Sequence, residues 1–131
     1  MAERLAPGDI VVVRFPEHIP PGHEQHGAQP AVVLGLPEVL GEPRFPVVLV
    51  APLTTDRGQL WAERSPALYP RLPAGAGGLP SASIVLLDQV RFLGLERVAA
   101  YLGTVRTDAY QPICHGLQRL LEPQDSFGDV R

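Results

Sequence analysis

Three polar clusters interrupt otherwise apolar, β-branched stretches of this chain: Gly22-His23-Glu24-Gln25, Pro52-Leu53-Thr54-Thr55 and Leu87-Asp88-Gln89-Val90-Arg91. Side chains of His, Thr, Asp, Gln and Arg brought from three strand ends to the rim of a β-core offer a proton carrier and several hydrogen-bond donors. Their spacing follows no metal-ligand pattern. The chemistry they suit is metal-free work on a phosphodiester, which needs a base, an acid and donors aimed at the oxygens that gain charge.

Each residue also has a plainer reading. An imidazole titrates near neutrality, so His23 can serve as acid or base with Asp88 as its partner, or can be a solvated loop histidine. Glu24 is read as structural, accepting backbone N–H bonds that fix its loop. Thr54 either caps a strand end or donates to substrate. Asp88 and Gln89 interrupt an apolar strand, so they must hydrogen-bond to the Glu24 loop or face a groove. Arg91 lies two positions after Gln89 and so shares its face if the strand is extended. Trp61 and Tyr69 can stack on unpaired bases or belong to the core or a dimer interface. His18, His26 and His115 are expected at the surface, and Cys114 as a buried, inert thiol.

The elements that must position these groups are legible in part. Asp9 to Phe15, Ala31 to Leu34 and Val47 to Ala51 read as strands, the last closing on Pro52. Between the first two runs a long loop with prolines at 16, 20 and 21 exceeds the usual connection, which points to function. Gln59 to Ala67 is expected as a weaker strand, and Arg71 to Ser81 as a mobile Pro/Gly/Ala loop. Ser83 to Leu87, Val90 to Leu93 and Ala100 to Val105 complete the strands. A helix then starts with Thr107 as its N-cap, presents Ala109, Ile113, Leu117, Leu120 and Leu121 on one face, and is restricted early by Pro112. Many short strands with one terminal helix imply a mainly β fold, a small SH3-like β-barrel carrying a C-terminal helix. Residues 1–121 are read as its single domain and 122–131 as a flexible tail.

Composition narrows the function classes. At 131 residues with 45% hydrophobic content the chain can bury one core. The net charge of −3 excludes a bulk polyanion binder, so any nucleic acid must be held by a local patch. All 11 basic residues are Arg; high-GC codon usage explains a Lys-free chain as well as any demand for guanidinium does. A lone cysteine, no apolar leader and no run of about 20 apolar residues argue for a cytoplasmic protein without a membrane partner.

Gly8-Asp9-Ile10-Val11 leading to Phe15-Pro16, Gly22-His23-Glu24-Gln25, Pro30-Ala31-Val32-Val33, Pro52-Leu53-Thr54-Thr55, Leu87-Asp88-Gln89-Val90-Arg91, Arg97 and Leu102-Gly103 together resemble the MazF/PemK (Kid) toxin family, in the family's order and spacing. The resemblance implies a plasmid-maintenance (CcdB-type) β-barrel and a homodimer. It further implies a metal- and cofactor-independent endoribonuclease toxin that cuts single-stranded RNA to 2′,3′-cyclic phosphate and 5′-OH ends and is silenced by a cognate antitoxin. By the same resemblance Thr54 contacts the scissile phosphate, and a family Arg falls at Gln29, a second at Leu86. An amide can donate a hydrogen bond but carries no charge. The expected site is therefore His23, Gln29 and Thr54 at the phosphate, with Arg14, Gln25, Asp88, Gln89 and Arg91 lining the groove. Three outcomes stay open: His23 with Asp88 serves as acid and base, Arg14 replaces the lost charge, or cleavage is feeble or lost. The alternatives are a family member that binds RNA or antitoxin without cutting, and a gyrase poison on the same barrel. The second would need a C-terminal aromatic segment that Asp125-Ser126-Phe127-Gly128-Asp129-Val130-Arg131 does not reproduce.

Overall fold

Three strands, β1 (Asp9–Phe15), β2 (Gly27–Gly35) and β3 (Val47–Thr55), form the centre of the computed structural model, which describes residues 4–16 and 27–124. After them come a single helical turn α1 (Leu60–Glu63) and the short strands β4 (Arg71–Leu72), β5 (Ser83–Val85) and β6 (Arg91–Gly94). Strand β7 (Val98–Thr104) and helix α2 (Thr107–Leu121) end the fold. The antiparallel strands run in the order β4-β5-β3-β2-β1-β7, with β6 also on β3, and curl into a half-barrel. Register shifts between β1 and β7 at Ile10/Val11 and Val12/Val13 bend the sheet, as bulges do.

The central strands are apolar on both faces because both faces are covered. Ile10, Val32, Ala51 and Leu53 face a core closed by Ile113 of α2, whereas Val11, Val13, Ala31, Val33, Val48 and Val50 fill the inside of the curl. Double burial explains the unbroken β-branched runs where a one-sided strand would alternate.

Several expectations are corrected. Residues 59–67 contain α1 in place of a strand: the Gln59 amide donates to the Thr55 carbonyl at 3.0 Å and accepts from the Arg57 N–H at 2.7 Å, winding the chain into a turn. The stretch 71–81 is packed structure, since Leu72 and Leu79 are buried in the α2-side core and Arg71–Leu72 pairs with β5. The N-cap of α2 is Arg106, without a side-chain cap, so Thr107 is already helical; Arg106 instead pairs with Asp108 at 3.2 Å. Helix α2 also runs through Pro112, whose missing donor would have served the carbonyl of Asp108 in the solvent-exposed first turn. Of the expected apolar face Ile113 is buried and Ala109 and Leu117 pack against the core, but Leu120 and Leu121 are exposed. Cys114 is half-buried and His115 exposed.

Gly77, at φ 55°, lies against the Ile10 side chain, which a Cβ there would strike; Val105 Cγ1 would be 2.9 Å away. Gly75 has φ 90° but open space around it. Gly77→Ala is therefore expected to cost about 2–4 kcal/mol, strain plus overpacking, and Gly75→Ala only about 1 kcal/mol, measured by urea unfolding.

Burial, and then the neighbouring Cys114 thiol, push the Tyr110 phenol up to about 12 from its ordinary 10.0. The protonated phenol is the favoured form in the fold, so its contribution is complete below pH 10 and is lost as pH rises towards 12. Tyr110→Phe should flatten that alkaline loss in urea midpoints taken across this window.

Candidate active site

Two prolines decide where the sheet opens. Leu86 N–H donates to the Pro52 carbonyl at 3.0 Å, so Pro52 presents its backbone to the β5 edge and its neighbours Ala51 and Leu53 present theirs to β2. Ala31 pairs with Pro52, which makes Pro30 the next partner of Leu53. Pro30 has no N–H to give. The β2–β3 ladder stops there, and β3 continues alone with β5 through Leu53↔Val85, Thr54↔Ile84 and Thr55↔Ser83.

The separation leaves a cleft of about 230 Å³ lined by Gln29, Pro30, Leu53, Thr54, Thr55 and the 79–83 segment. Gln29 and Thr54 each stand two residues beyond the Ala31↔Pro52 pair and so share a sheet face. Both are half-buried.

On the other edge of β3 the ladder is interrupted at Pro52, which accepts from Leu86 but has no N–H to donate. Val50 pairs with Arg91 and Leu53 with Val85, so residues 86–90 have only Ala51 and Pro52 opposite them. The surplus winds into a 3-10 turn at Leu87–Gln89 and brings Asp88 to the surface and Gln89 to a half-buried position.

The polar residues of the sequence analysis are thereby sorted. Arg91 has the same face as Leu93, inside the curl, and its guanidinium lies 5.2 Å from the centre of the Phe15 ring. Phe15 shares the face of Val13, which pairs with Gln29. Gln29, Thr54 and Arg91 therefore look to one side of the sheet. Arg14 pairs with Ala28 and points to the other side, and its carbonyl accepts from Arg97 at 3.0 Å. Asp88 takes the Tyr69 hydroxyl at 2.7 Å. His23, Glu24 and Gln25, with His18 and His26, lie outside the described residues. Leu86, where the resemblance expected an Arg, is buried with Ala62 and Ile84 beneath Tyr69.

Arg71, which the sequence leaves in a loop, pairs through Nε with Asp56 at 3.0 Å, and Trp61, expected either to stack on bases or to lie in a core or interface, is exposed with its ring T-shaped to Tyr69 at 4.9 Å. A two-residue strand and a single helical turn carry no period that could have announced them. Among the described residues no group of three His, Cys, Asp or Glu is placed to hold a metal, and no helix is long and apolar enough to cross a membrane.

The sequence model of PemK-like, MazF-like toxins of type II toxin–antitoxin systems matches residues 6–121. The chain belongs to this family. Its fold is similar to the crystal structure of MazF (Form-I) from Deinococcus radiodurans, with a TM-score of 0.66 and 26% identity over 92% of this chain and 98% of that one. The MazE-MazF structure (Form-II) from the same organism matches at a TM-score of 0.60 and 28% identity, over 87% and 92% of the two chains. An endoribonuclease in complex with its cognate antitoxin from a mycobacterial species has a TM-score of 0.63 over 92% and 99%, and at 19% identity shares the fold alone. No curated protein matches the sequence. The mainly β half-barrel with a C-terminal helix is thus the MazF/PemK fold.

The Tyr69 phenol is raised above its ordinary 10.0, first by its hydrogen bond to Asp88, then by burial and by the carboxylate charge. Asp88→Asn should bring the phenol back down, read by NMR titration of the Tyr69 ring. The wild-type contribution of this bond holds below about pH 10 and fades as pH rises through the raised value.

Proposed function

We propose that this MazF-family toxin is a metal-independent endoribonuclease that cuts single-stranded RNA, with Gln29 and Thr54 at the scissile phosphate. The observation that carries the reading is their meeting at the β2–β3 separation, in a chain whose family is established. The 2′-oxygen attacks the adjacent phosphorus, the bond from phosphorus to the 5′-oxygen breaks, and a 2′,3′-cyclic phosphate and a 5′-OH result. Thr54 Oγ1 and the Gln29 amide donate to non-bridging oxygens as they gain charge. His23 is assigned the proton traffic, taking the 2′-hydroxyl proton and returning one to the leaving 5′-oxygen. Arg91 lines the same face for a neighbouring phosphate.

In this reading the protein works in the cytoplasm as a homodimer, and its antitoxin covers the RNA-binding face. Solved relatives that hold MazE or a cognate antitoxin support that partner class.

The test is cleavage of a long, weakly structured RNA in excess EDTA. Discrete cuts with 5′-OH ends are expected, with kcat/KM reduced about 10²–10³-fold in Thr54→Ala through loss of one donor. His23→Ala should be at least as damaging. Gln29→Arg, by replacing a neutral donor with a charged fork, should raise kcat/KM about tenfold. Cuts bearing 5′-phosphates, or none in any variant, would sink the reading.

A further inference from the structure

Arg71 pairs with Ile84, and Ile84 with Thr54, so the three form one row across β4, β5 and β3 on a single face. At strand spacing, Arg71 stands on the order of 10 Å from Thr54, one nucleotide's reach away. Its Nε is held by Asp56 Oδ2 at 3.0 Å while Asp56 Oδ1 accepts from the Gly58 N–H at 2.9 Å, so the carboxylate is engaged on both oxygens. A guanidinium fixed at Nε keeps donors on its outer edge for a second anion. Over the same row lies α1, whose Ala62 packs on Ile84 with Tyr69. Next to Ala62, Trp61 is 46% exposed, braced edge-on by Tyr69, itself tethered by Asp88.

We propose that Trp61 and Arg71 form an unpaired-nucleotide subsite beside the cleft, the base stacking on Trp61 and its phosphate bound by Arg71. An exposed aromatic ring carried over the same strand row as a positioned cation is a combination that can hold single-stranded nucleic acid without reading its sequence. The braces matter because a rigid platform loses little freedom on binding. The inference rests on the ribonuclease reading and deepens it: the outer donors of the Arg71 guanidinium, next to a Gln29–Thr54 cleft without charge of its own, give the strand an anchor.

The experiment uses a short 2′-O-methyl oligouridylate, which has the RNA backbone but no nucleophile. Trp61 is the sole tryptophan, so intrinsic fluorescence reports on this ring alone. Quenching on titration is expected, with affinity by anisotropy about tenfold weaker in Trp61→Ala and near wild type in Trp61→Phe. Arg71→Ala should lower the slope of log K against log salt by about 0.7, one phosphate's worth, and Arg71→Lys should restore it. Binding without quenching, or wild-type affinity and slope in the Ala variants, overturns the subsite. Cleavage by the wild type alongside that result would leave the nuclease reading standing. Quenching and slope changes as expected, with no cleavage of long RNA, would leave the subsite standing and remove the nuclease. Failure of the oligomer to bind, with Trp61 quenched only by an acidic, apolar peptide, assigns the surface to a protein partner and refutes the proposal.

Discussion

A missing hydrogen at two ring nitrogens governs the functional end of this molecule. Strand β3 is the hub of the sheet, with β2 on one edge and β5 and β6 sharing the other. At Pro52 and Pro30 the backbone has no donor, so the ladder cannot continue unbroken on either edge. On one side the strands separate and open the cleft; on the other, three surplus residues are pushed into a 3-10 turn. A continuous sheet would have buried the positions of Thr54, Gln29 and Asp88 as ordinary ladder residues. The apolar layers on both faces hold the sheet together around this defect, with Ile113 closing one core and Leu93 the other.

Electrostatically the cleft is unusual for a place expected to handle phosphate. Gln29 is neutral, and Leu86 is sealed into a small apolar cluster with Ala62 and Ile84, so an arginine there would have to displace packed side chains or turn outward. Positive charge sits around the cleft: Arg91 inside the curl against Phe15, and Arg71 on the α1 side against Asp56. In the proposed ribonuclease, such an arrangement moves attraction from the reacting phosphorus to its neighbours, favouring binding of a chain over stabilisation of one transition state.

Much of the frame was legible in the sequence because it rests on long signals. The valine run of β1 gives the boundaries Asp9–Phe15 directly, and Ile113 in its helical period finds the core. Legibility failed where local pattern gave way to tertiary packing. Residues 71–81 have a loop's composition, yet Leu72 and Leu79 fix them in the core and Gly77 allows the chain to pass Ile10. Strand β3 runs on past Pro52 to Thr55 because the proline turns its bare nitrogen to an edge where the partner has already left. At the candidate site, residue type nominated Thr54 and the family resemblance Gln29, but only register could put Arg14 on the far face and pair Asp88 with Tyr69.

The single turn α1 links these themes. Its position is fixed from below by Ala62 on Ile84 and from behind by Gln59, which ties the 56–58 turn to the end of β3. An exposed indole is ordinarily a liability on a protein of this size, and one mounted on four residues of helix would ordinarily fray. Here Trp61 is braced by Tyr69, Tyr69 by Asp88, and Asp88 stands on the turn that Pro52 created. The platform therefore rests on the break at Pro52 and the cleft on the break at Pro30, so a change at Pro52 would disturb the platform first, and a change at Tyr69 would loosen the platform and leave Gln29 and Thr54 where they are.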